Sequence, residues 1–387
     1  MKSLVLTINV FRDLLTLLLP DRSSAKDYKF AFIVHPRSYR DIERKFPFFR
    51  YVPEVFIDIV TKYLWPVTVS KISGLKSLRD GREIEGYVIS ILPTAHQMVE
   101  NRNLALKRIT QACILARKMG VKIVGLGGLT SSLSKGGLDL INVVGVNITT
   151  GHAYTSYNVT QNIFALVHYM NFDKKKICIG IVGAAGSIGS TCAKLLARDG
   201  FEDFLLVDLE RKKSFFSQLT EEINTLNPRA KVDISHQIKD IKKCDIVIAA
   251  TNAPEALIRS EDLKWGAIVV DDAQPSDVHP NVYERQDVLV IEAGVTSTPQ
   301  IENNFNFGLK NRDDNFCCLA EVFILAANEW RDHYVINRAS LSHVDQVSRL
   351  GERLNFRIGQ FQNLKELVSN KKLLFVKKCI NENGLST

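Results

Sequence analysis

The sequence predicts an α/β protein: a doubly wound parallel sheet of the Rossmann type, with an N-terminal α/β substrate domain before it and helices after it. Residues 177–189 read as an apolar strand, a glycine turn and the start of a helix. Short apolar segments also recur at regular spacing through the middle of the chain, as the strands of such a sheet do. These predicted strands are 177–183, 204–208, 231–235, 245–250, 267–271 and 288–292.

The glycine turn carries the residue types that hold a dinucleotide. Gly183, Gly186 and Gly189 let the backbone approach a pyrophosphate and let the helix pack closely on the strand. The N–H groups at the start of that helix would then face the phosphates. The cofactor contacts predicted in this turn are Gly183, Gly186, Ser187, Ile188 and Gly189. We expect NADH or NADPH here.

The next strand leaves the choice between these two cofactors open. It ends at Asp208, whose carboxylate would accept hydrogen bonds from a ribose 2′-hydroxyl and repel a 2′-phosphate. Arg211 follows at once with two lysines, and these cations could hold that phosphate instead. Thr251 and Asn252 follow the strand 245–250 at the edge where ligands of such sheets bind, and complete the predicted cofactor site.

Strands and helices also alternate before the glycine turn. Predicted strands at 30–34, 67–73, 87–92 and 122–126, with a helix at 95–120, make an α/β domain of their own, and a helix at 153–171 leads to the cofactor domain. After the last strand we expect helices at 318–337 and 342–373. The predicted division is an N-terminal extension (1–27), a substrate domain (28–158), a dinucleotide-binding domain (159–300) and a C-terminal helical segment (301–387).

Composition narrows the class of protein. Seven irregularly spaced cysteines form neither a disulfide ladder nor a metal knuckle, so we expect a reducing, cytoplasmic compartment and no metal. The paired carboxylates Asp271 and Asp272 have no partner at metal-ligand spacing and are interpreted as loop residues beside the cofactor. A net charge of +8 suits an acidic partner, although nucleic acid is not the one expected.

Residues 1–20 are apolar but do not read as a signal peptide. Arg12 and Asp13 interrupt the stretch, and no small-residue cleavage site follows it. The stretch is too short and too charged to span a bilayer. It predicts an amphipathic helix, packed either on the body of the protein or against a membrane surface.

Cys317 and Cys318 lie where a polar loop becomes an apolar helix. A thiol at a helix N-terminus has a lowered pKa and is more nucleophilic, so it could attack a thioester and hold the acyl group for reduction by a nicotinamide. The alternative is that both are small core residues. Glu321, one helical turn later, could orient the thiol or cap a helix.

Residues 147–157 are rich in hydroxyl groups and join the two domains. Thr149 and Thr150 could cap the following helix or bind phosphate. His152 and Tyr154 could supply a proton to a developing alkoxide, although a histidine in such a loop is also a common structural residue.

Residues 28–357 resemble the long-chain fatty acyl-[acyl-carrier-protein] reductase family, the aldehyde-forming enzymes of cyanobacterial alkane synthesis. The motifs that carry the resemblance are Gly81–Gly86 with Leu92 and Pro93, Gly125–Ser132, Thr149–Gly151 with Thr155 and Tyr157, Gly183–Ser190, Cys318–Glu321 and Arg349–Gly351. The resemblance implies that Cys318, not Cys317, is the nucleophile, and that the substrate is an acyl thioester of acyl-carrier protein or coenzyme A.

The chain departs from that family in three places. Asp208 stands where the family has residues suited to NADPH, and the family's histidine before Thr155 is matched only approximately by Tyr154 and His152. Residues 1–27 and the basic tail 364–379 lie outside the resemblance.

Three other functions remain open. A shikimate-dehydrogenase-like enzyme would need a Lys/Asp pair that the N-terminal domain does not clearly offer. A glutamyl-tRNA-reductase-like enzyme would need its nucleophile in that domain, where only Cys113 is present, within an apolar helix stripe. A non-catalytic nicotinamide-binding module would use both vicinal cysteines structurally.

Overall fold

The computed structural model describes residues 2–20, 27–36, 39–45, 47–253, 255–305 and 307–382. The N-terminal part forms a mixed sheet with helices on both faces. Its elements are α1 (Lys2–Leu18), β1 (Lys29–Val34), α2 (Tyr39–Lys45), α3 (Glu54–Tyr63), β2 (Val67–Ser73), β3 (Glu85–Ser90), α4 (Ala95–Glu100), α5 (Arg102–Lys118), β4 (Ile123–Leu126), α6 (Leu129–Leu133), β5 (Asn147–Thr149) and α7 (His152–Met170).

The predicted helix 95–120 is two helices, because Asn101 leaves the helical conformation and its side chain caps α5 by accepting from the N–H of Leu104. The predicted N-terminal helix is present as α1, which packs on β2 and α5. Among the described helices, none combines the length and the apolar character needed to cross a membrane.

The middle of the chain forms the predicted doubly wound sheet. Its elements are β6 (Cys178–Val182), α8 (Ser187–Arg198), β7 (Asp203–Val207), α9 (Lys213–Leu226), β8 (Lys231–Ser235), β9 (Ile246–Ala249), β10 (Ile268–Asp271) and β11 (Leu289–Glu292). All neighbouring strands are parallel, in the order β11-β10-β9-β6-β7-β8. The strand order reverses between β6 and β9, and such a switch point opens a crevice for a ligand. The predicted fold class is confirmed.

The rest of the chain packs against both sheets, and its strand β13 joins the edge of the N-terminal one. Its elements are β12 (Val295–Ser297), β13 (Glu302–Asn303), β14 (Asp314–Phe316), α10 (Cys317–Ala327), α11 (Leu341–Glu352), β15 (Arg357–Ile358) and α12 (Asn370–Glu382). The predicted helices 318–337 and 342–373 were too long. Glu329, Asn337 and Asn355 adopt left-handed backbone conformations (φ +49°, +64° and +55°), which an α-helix cannot contain.

Helix α10 belongs to the C-terminal segment of the sequence, but it packs on one face of the N-terminal sheet. The ring of Phe323 packs edge-on against Phe30 of β1 at 5.6 Å. A Cβ at Gly125 of β4 would lie 2.2 Å from a methyl carbon of Val322, so the glycine admits the helix. The N-terminal sheet, in the order β13-β2-β3-β1-β4-β5, therefore carries on one face the helix that begins with Cys317. The predicted domain boundaries stay a prediction.

Candidate active site

A cavity of about 1510 Å³ opens between the carboxyl ends of the two parallel strand sets. From the N-terminal sheet it is lined by His35, Gly127 and Thr150, which follow β1, β4 and β5. From the cofactor sheet it is lined by Thr251 and Asp272, which follow β9 and β10. The side chain of Cys318 also faces it. The fold thus brings the predicted cofactor edge and the predicted nucleophile to one space.

The glycine turn has the close contacts that the sequence predicts. Gly183 has φ +85°, and a Cβ there would lie 2.5 Å from the carbonyl oxygen of Ala250. A Cβ at Gly189 would lie 2.5 Å from the carbonyl oxygen of Gly183, so α8 could not approach the turn with any larger residue. Ser187 opens α8 with its N–H groups directed at the turn. These residues fit a pyrophosphate.

Asp208 lies beside the glycine turn, as expected. One of its carboxylate oxygens accepts from the N–H of Ala185 at 3.0 Å, and the other accepts from the N–H of Leu209 at 2.8 Å. Lys212 pairs with the carboxylate at 3.2 Å, whereas Arg211 is exposed beyond it. Ile188, Thr251 and Asn252 line the cavity.

Sequence reasoning missed Arg338, which lies far along the chain from the glycine turn. Its guanidinium donates to the carbonyl oxygen of Ala185 at 2.9 Å and stacks on the ring of Phe215 at 4.0 Å. The neighbouring N–H of Ala339 donates to the Ser187 hydroxyl at 3.0 Å. Arg338 belongs to no motif, so the sequence contains no signal for this contact.

The structure separates the two vicinal cysteines. Cys317 is fully buried, its N–H donates to the carbonyl oxygen of Gly294 at 2.8 Å, and its sulfur points toward Ala293. Cys318 is partly exposed and lines the cavity. Of the two sulfurs, only that of Cys318 can meet a ligand there.

The pKa of Cys318 is opposite to the sequence-based expectation. Burial raises it to about 12, and the carboxyl of Asp272 adds to the rise. The N–H groups at the start of α10 lower it, but by less than burial raises it. The sulfur is therefore a thiol at neutral pH rather than an activated thiolate.

His152 lies at the first position of α7 and lines the same cavity. Burial lowers its pKa to about 4, so the imidazole is neutral at pH 7. Its Nε2 lies 3.3 Å from the hydroxyl of Ser131, while Nδ1 is buried and has no hydrogen-bond partner among the described residues. The hydroxyl of Thr150, two residues earlier, is likewise buried and unpartnered within the described chain. Unpaired polar atoms in a cavity wall are available to a ligand.

Glu321 and Tyr154 do not reach the cavity. The carboxylate of Glu321 is fully buried at the start of α7, where it accepts from the Thr149 hydroxyl and, at 2.8 Å, from the N–H of Tyr154. Burial raises its pKa to about 7. It is therefore a helix cap, the second of the two roles considered for it.

Tyr154 is buried beside Gly351, and its ring stacks on Tyr157 at 5.7 Å. Burial raises its pKa to about 12. Its predicted role as a proton donor is not supported by this position, because its hydroxyl faces the core around Thr296 rather than the cavity.

A second feature that sequence reasoning undervalued is the acidic wall beside Cys318. Asp271, Asp272 and Glu292 all line the cavity, and burial raises the pKa of Asp271 to about 7 and that of Asp272 well above its usual range. Within the described residues, no cluster of His, Cys, Asp and Glu is arranged to hold a metal ion. The carboxyls of Asp271 and Asp272 can therefore hold protons at neutral pH.

Comparisons with known proteins match a dehydrogenase family and relatives whose named activities differ. The Shikimate / quinate 5-dehydrogenase family matches residues 164–293, about a third of the chain. The chain is 25% identical to the aminotransferase PigE of Serratia sp. over 77% of its own length, but it spans only about a third (35%) of that protein.

A second relative is matched over nearly its whole length. The chain is 22% identical to the long-chain acyl-[acyl-carrier-protein] reductase of Synechococcus elongatus, over 81% of this chain and 92% of that protein. Among solved structures, shikimate 5-dehydrogenase from Listeria monocytogenes aligns over 86% of this chain and 99% of its own, with 13% identity and a TM-score of 0.35.

The family match over residues 164–293 and the glycine turn together confirm the expected nicotinamide dinucleotide, NADH or NADPH. The family match begins after His152 and ends before Cys318. It therefore covers the cofactor side of the cavity and not the opposite wall.

Proposed function

We propose that this protein reduces an acyl thioester, carried by acyl-carrier protein or coenzyme A, to an aldehyde through a thioester on Cys318. The observation that carries the proposal is the position of Cys318 in the wall of the cavity onto which the glycine-turn side of the cofactor sheet opens. A bound NADH or NADPH would supply the hydride that reduces the acyl carbon. The acyl-[acyl-carrier-protein] reductase relative supports this choice of substrate.

The acyl group would first move to the protein. The sulfur of Cys318 attacks the thioester carbonyl carbon, the bond to the carrier sulfur breaks, and the carrier leaves as a thiol. Because the resting pKa of Cys318 is about 12 and that of His152 about 4, a free proton transfer between them is unfavourable. The thiol proton must therefore move as the sulfur–carbon bond forms, and we assign its transfer to the leaving sulfur to the neutral His152, which lines the same cavity.

Release of the aldehyde would need a proton on the Cys318 sulfur. After hydride reaches the acyl carbon, the bond between that carbon and the Cys318 sulfur breaks, the aldehyde leaves, and the sulfur regains a proton. Buried carboxyls with raised pKa values, such as Asp272 in the same wall, hold a proton at neutral pH. We assign to them the proton that returns to the Cys318 sulfur in that step.

The cavity also offers room for an apolar chain. Its lining includes the apolar side chains of Phe32, Val34, Val69, Leu92, Phe305 and Phe307. An acyl chain buried there would gain about 0.8 kcal/mol for each methylene group removed from water. The cavity therefore favours a thioester with a long acyl chain over a short one.

The test is a trapping experiment without cofactor. The protein is incubated with radiolabelled long-chain acyl-CoA, and the adduct is located by peptide mass. We expect the label on Cys318, its loss in Cys318→Ala, its retention in the matched control Cys317→Ala, and aldehyde release when NADH or NADPH is added. Hydride transfer without any adduct would overturn the proposal.

The family match favours a second candidate, a dehydrogenase acting on a small hydroxy acid. Such an enzyme needs no covalent adduct. If Cys318→Ala oxidises shikimate or quinate with NAD+ or NADP+ as fast as the unmodified protein, that second function replaces the first.

A further inference from the structure

Helix α1 presents an apolar stripe to solvent. Ile8, Phe11, Leu15 and Leu18 recur every three or four residues and are 57–73% exposed. The opposite side of the helix holds it in place. The fully buried Asp13 accepts from the N–H of Thr68 at 2.6 Å. This buried hydrogen bond fixes the rotation of α1 about its axis, so the apolar stripe faces solvent.

Helix α3 presents a similar stripe beside it. Val55, Phe56, Ile59 and Tyr63 are 48–72% exposed. The same helix, α5, holds the ends of both stripes: Arg108 donates to the carbonyl oxygen of Tyr63 at 2.7 Å, and Lys118 donates to that of Leu17 at 2.7 Å. Trp65, just after α3, donates to the carbonyl oxygen of Val10 in α1 at 2.8 Å. The Trp65 contact places the end of α3 next to α1, and we call the two exposed stripes together the α1–α3 face.

The charge of the chain is concentrated in the part that carries this face. Residues 1–120 contain 20 Lys and Arg against 11 Asp and Glu, whereas residues 121–387 contain 30 against 31. The net positive charge of the protein thus lies in its first third, which carries +9 against −1 for the rest. Two copies of this part would repel each other, whereas an anionic surface would attract it.

Helix α1 borders the cavity, beside its exposed stripe. Asn9 and Arg12 of α1 line the same cavity as Cys318, together with Thr68 of β2. An apolar molecule leaving the cavity where Asn9 and Arg12 line it would emerge beside α1. A lipid bilayer is the surface that accepts both an exposed apolar helix face and an apolar product.

We infer that the α1–α3 face docks the protein on an anionic phospholipid bilayer, with the cavity opening toward the membrane. As a route for a long-chain aldehyde into the bilayer, this inference rests on the proposed function. The docking itself is a property of the surface and can be measured without turnover.

The test is flotation of the full chain with vesicles. We expect it to float with vesicles of phosphatidylcholine and phosphatidylglycerol in equal parts, and much less with phosphatidylcholine alone. The double variant Phe11→Ser with Leu15→Ser should bind about tenfold more weakly, because two apolar side chains leave the interface. Both residues are exposed, so the fold should survive, as a thermal melt would check.

The matched control lies on another basic helix. Leu374 and Phe375 of α12 are exposed and are flanked by lysines. Leu374→Ser with Phe375→Ser removes comparable apolar area and should leave flotation unchanged. Equal loss in both double variants, or flotation that survives in the α1 variant, would overturn the inference.

Other occupants of the face give distinct results. A dimer in sedimentation equilibrium that the α1 variant dissociates, without flotation, would assign the face to a second copy of the chain. Binding to an acidic carrier protein that the α1 variant weakens, again without flotation, would assign it to that carrier. Either result would overturn docking on a bilayer. A failed trap at Cys318 combined with normal flotation would remove the proposed function and leave the docking in place.

Discussion

Gly151 lies directly against Cys318. A Cβ at Gly151 would stand 2.3 Å from the Cβ of Cys318 and 2.4 Å from its Cα, and Gly151 has φ +79°. The start of α7 and the start of α10 are therefore packed backbone to backbone. This contact puts His152, the next residue, and Cys318 in the wall of one cavity. The proposed nucleophile and its proposed base thus lie on either side of this one glycine contact.

Gly151→Ala should consequently affect both stability and chemistry. The left-handed backbone and the overlap with Cys318 should together cost about 2 kcal/mol or more in the free energy of unfolding. The displaced sulfur should form the adduct at least about tenfold more slowly, since small misplacement of a reacting atom is costly. Chemical denaturation and the rate of acyl transfer measure the two effects.

Gly81→Ala is the matched control. Gly81 has a nearly equal φ of +77°, but no atom lies within 4 Å of a Cβ placed there. It should lose stability through backbone strain alone and transfer the acyl group at the normal rate. If Gly151→Ala transfers at that same rate, the contact does not position Cys318.

The raised pKa of Cys318 predicts the pH dependence of its alkylation. Because the pKa is about 12, the thiolate fraction, and with it the iodoacetamide reaction rate, should rise about tenfold per pH unit from pH 7 to pH 9. Cys317→Ala keeps only this sulfur of the pair and is the variant to use. A rate that levels off below pH 8 would mean that the helix N-terminus outweighs burial.

The local motifs of this chain were readable from sequence, but the contacts between distant segments were not. The strand, turn and helix around Gly183 were predicted because their residues are contiguous and the role of each glycine follows from its immediate neighbours. The resemblance implied Cys318 rather than Cys317, but the packing of Gly151 against Cys318 joins segments far apart in the chain, and no local spacing encodes it. The lowered thiol pKa was a local inference that burial reversed.

Contacts between distant segments also decide where the carboxylates of Glu321 and Asp272 lie, which is why the sequence did not predict their positions. Glu321 lies one turn from Cys318 in sequence, yet it turns the other way because the start of α7 offers it hydrogen-bond donors. Asp272 was interpreted as a loop residue, and only the folded chain shows that it lies in the wall with Cys318. Side-chain direction was decided by tertiary packing.

Glu321 should make stability fall as pH rises from about 4.5 to about 7. Its pKa is raised from 4.5 to about 7 in the folded chain, so the folded state holds one more proton than the unfolded state between these values. Glu321→Gln mimics the protonated acid and removes this dependence. The free energy of unfolding of the unmodified protein, relative to that of the variant, should therefore decrease by about 3 kcal/mol across this range.

Urea unfolding of both proteins at several pH values measures the difference. A difference that stays constant from pH 4 to pH 8 would show that folding does not raise the pKa of Glu321. Acyl transfer by Glu321→Gln at neutral pH should remain within about twofold of normal, since the carboxylate does not touch the cavity. A loss as large as that of Cys318→Ala would instead assign Glu321 to the chemistry.

Asp208 should make NADH the preferred cofactor. Its carboxylate is held beside the glycine turn by the N–H groups of Ala185 and Leu209, so it cannot easily swing away from a 2′-phosphate. Lys212 offsets part of this charge, which should keep the preference moderate, about tenfold to a hundredfold in kcat/KM. Asp208→Ser should reverse it by freeing Lys212 to meet the phosphate, whereas Arg211→Ala should change NADPH use little, because Arg211 lies farther out. Initial rates with both cofactors decide the matter: an unmodified protein that prefers NADPH, or an Asp208→Ser variant with unchanged preference, would show that Asp208 does not select the cofactor.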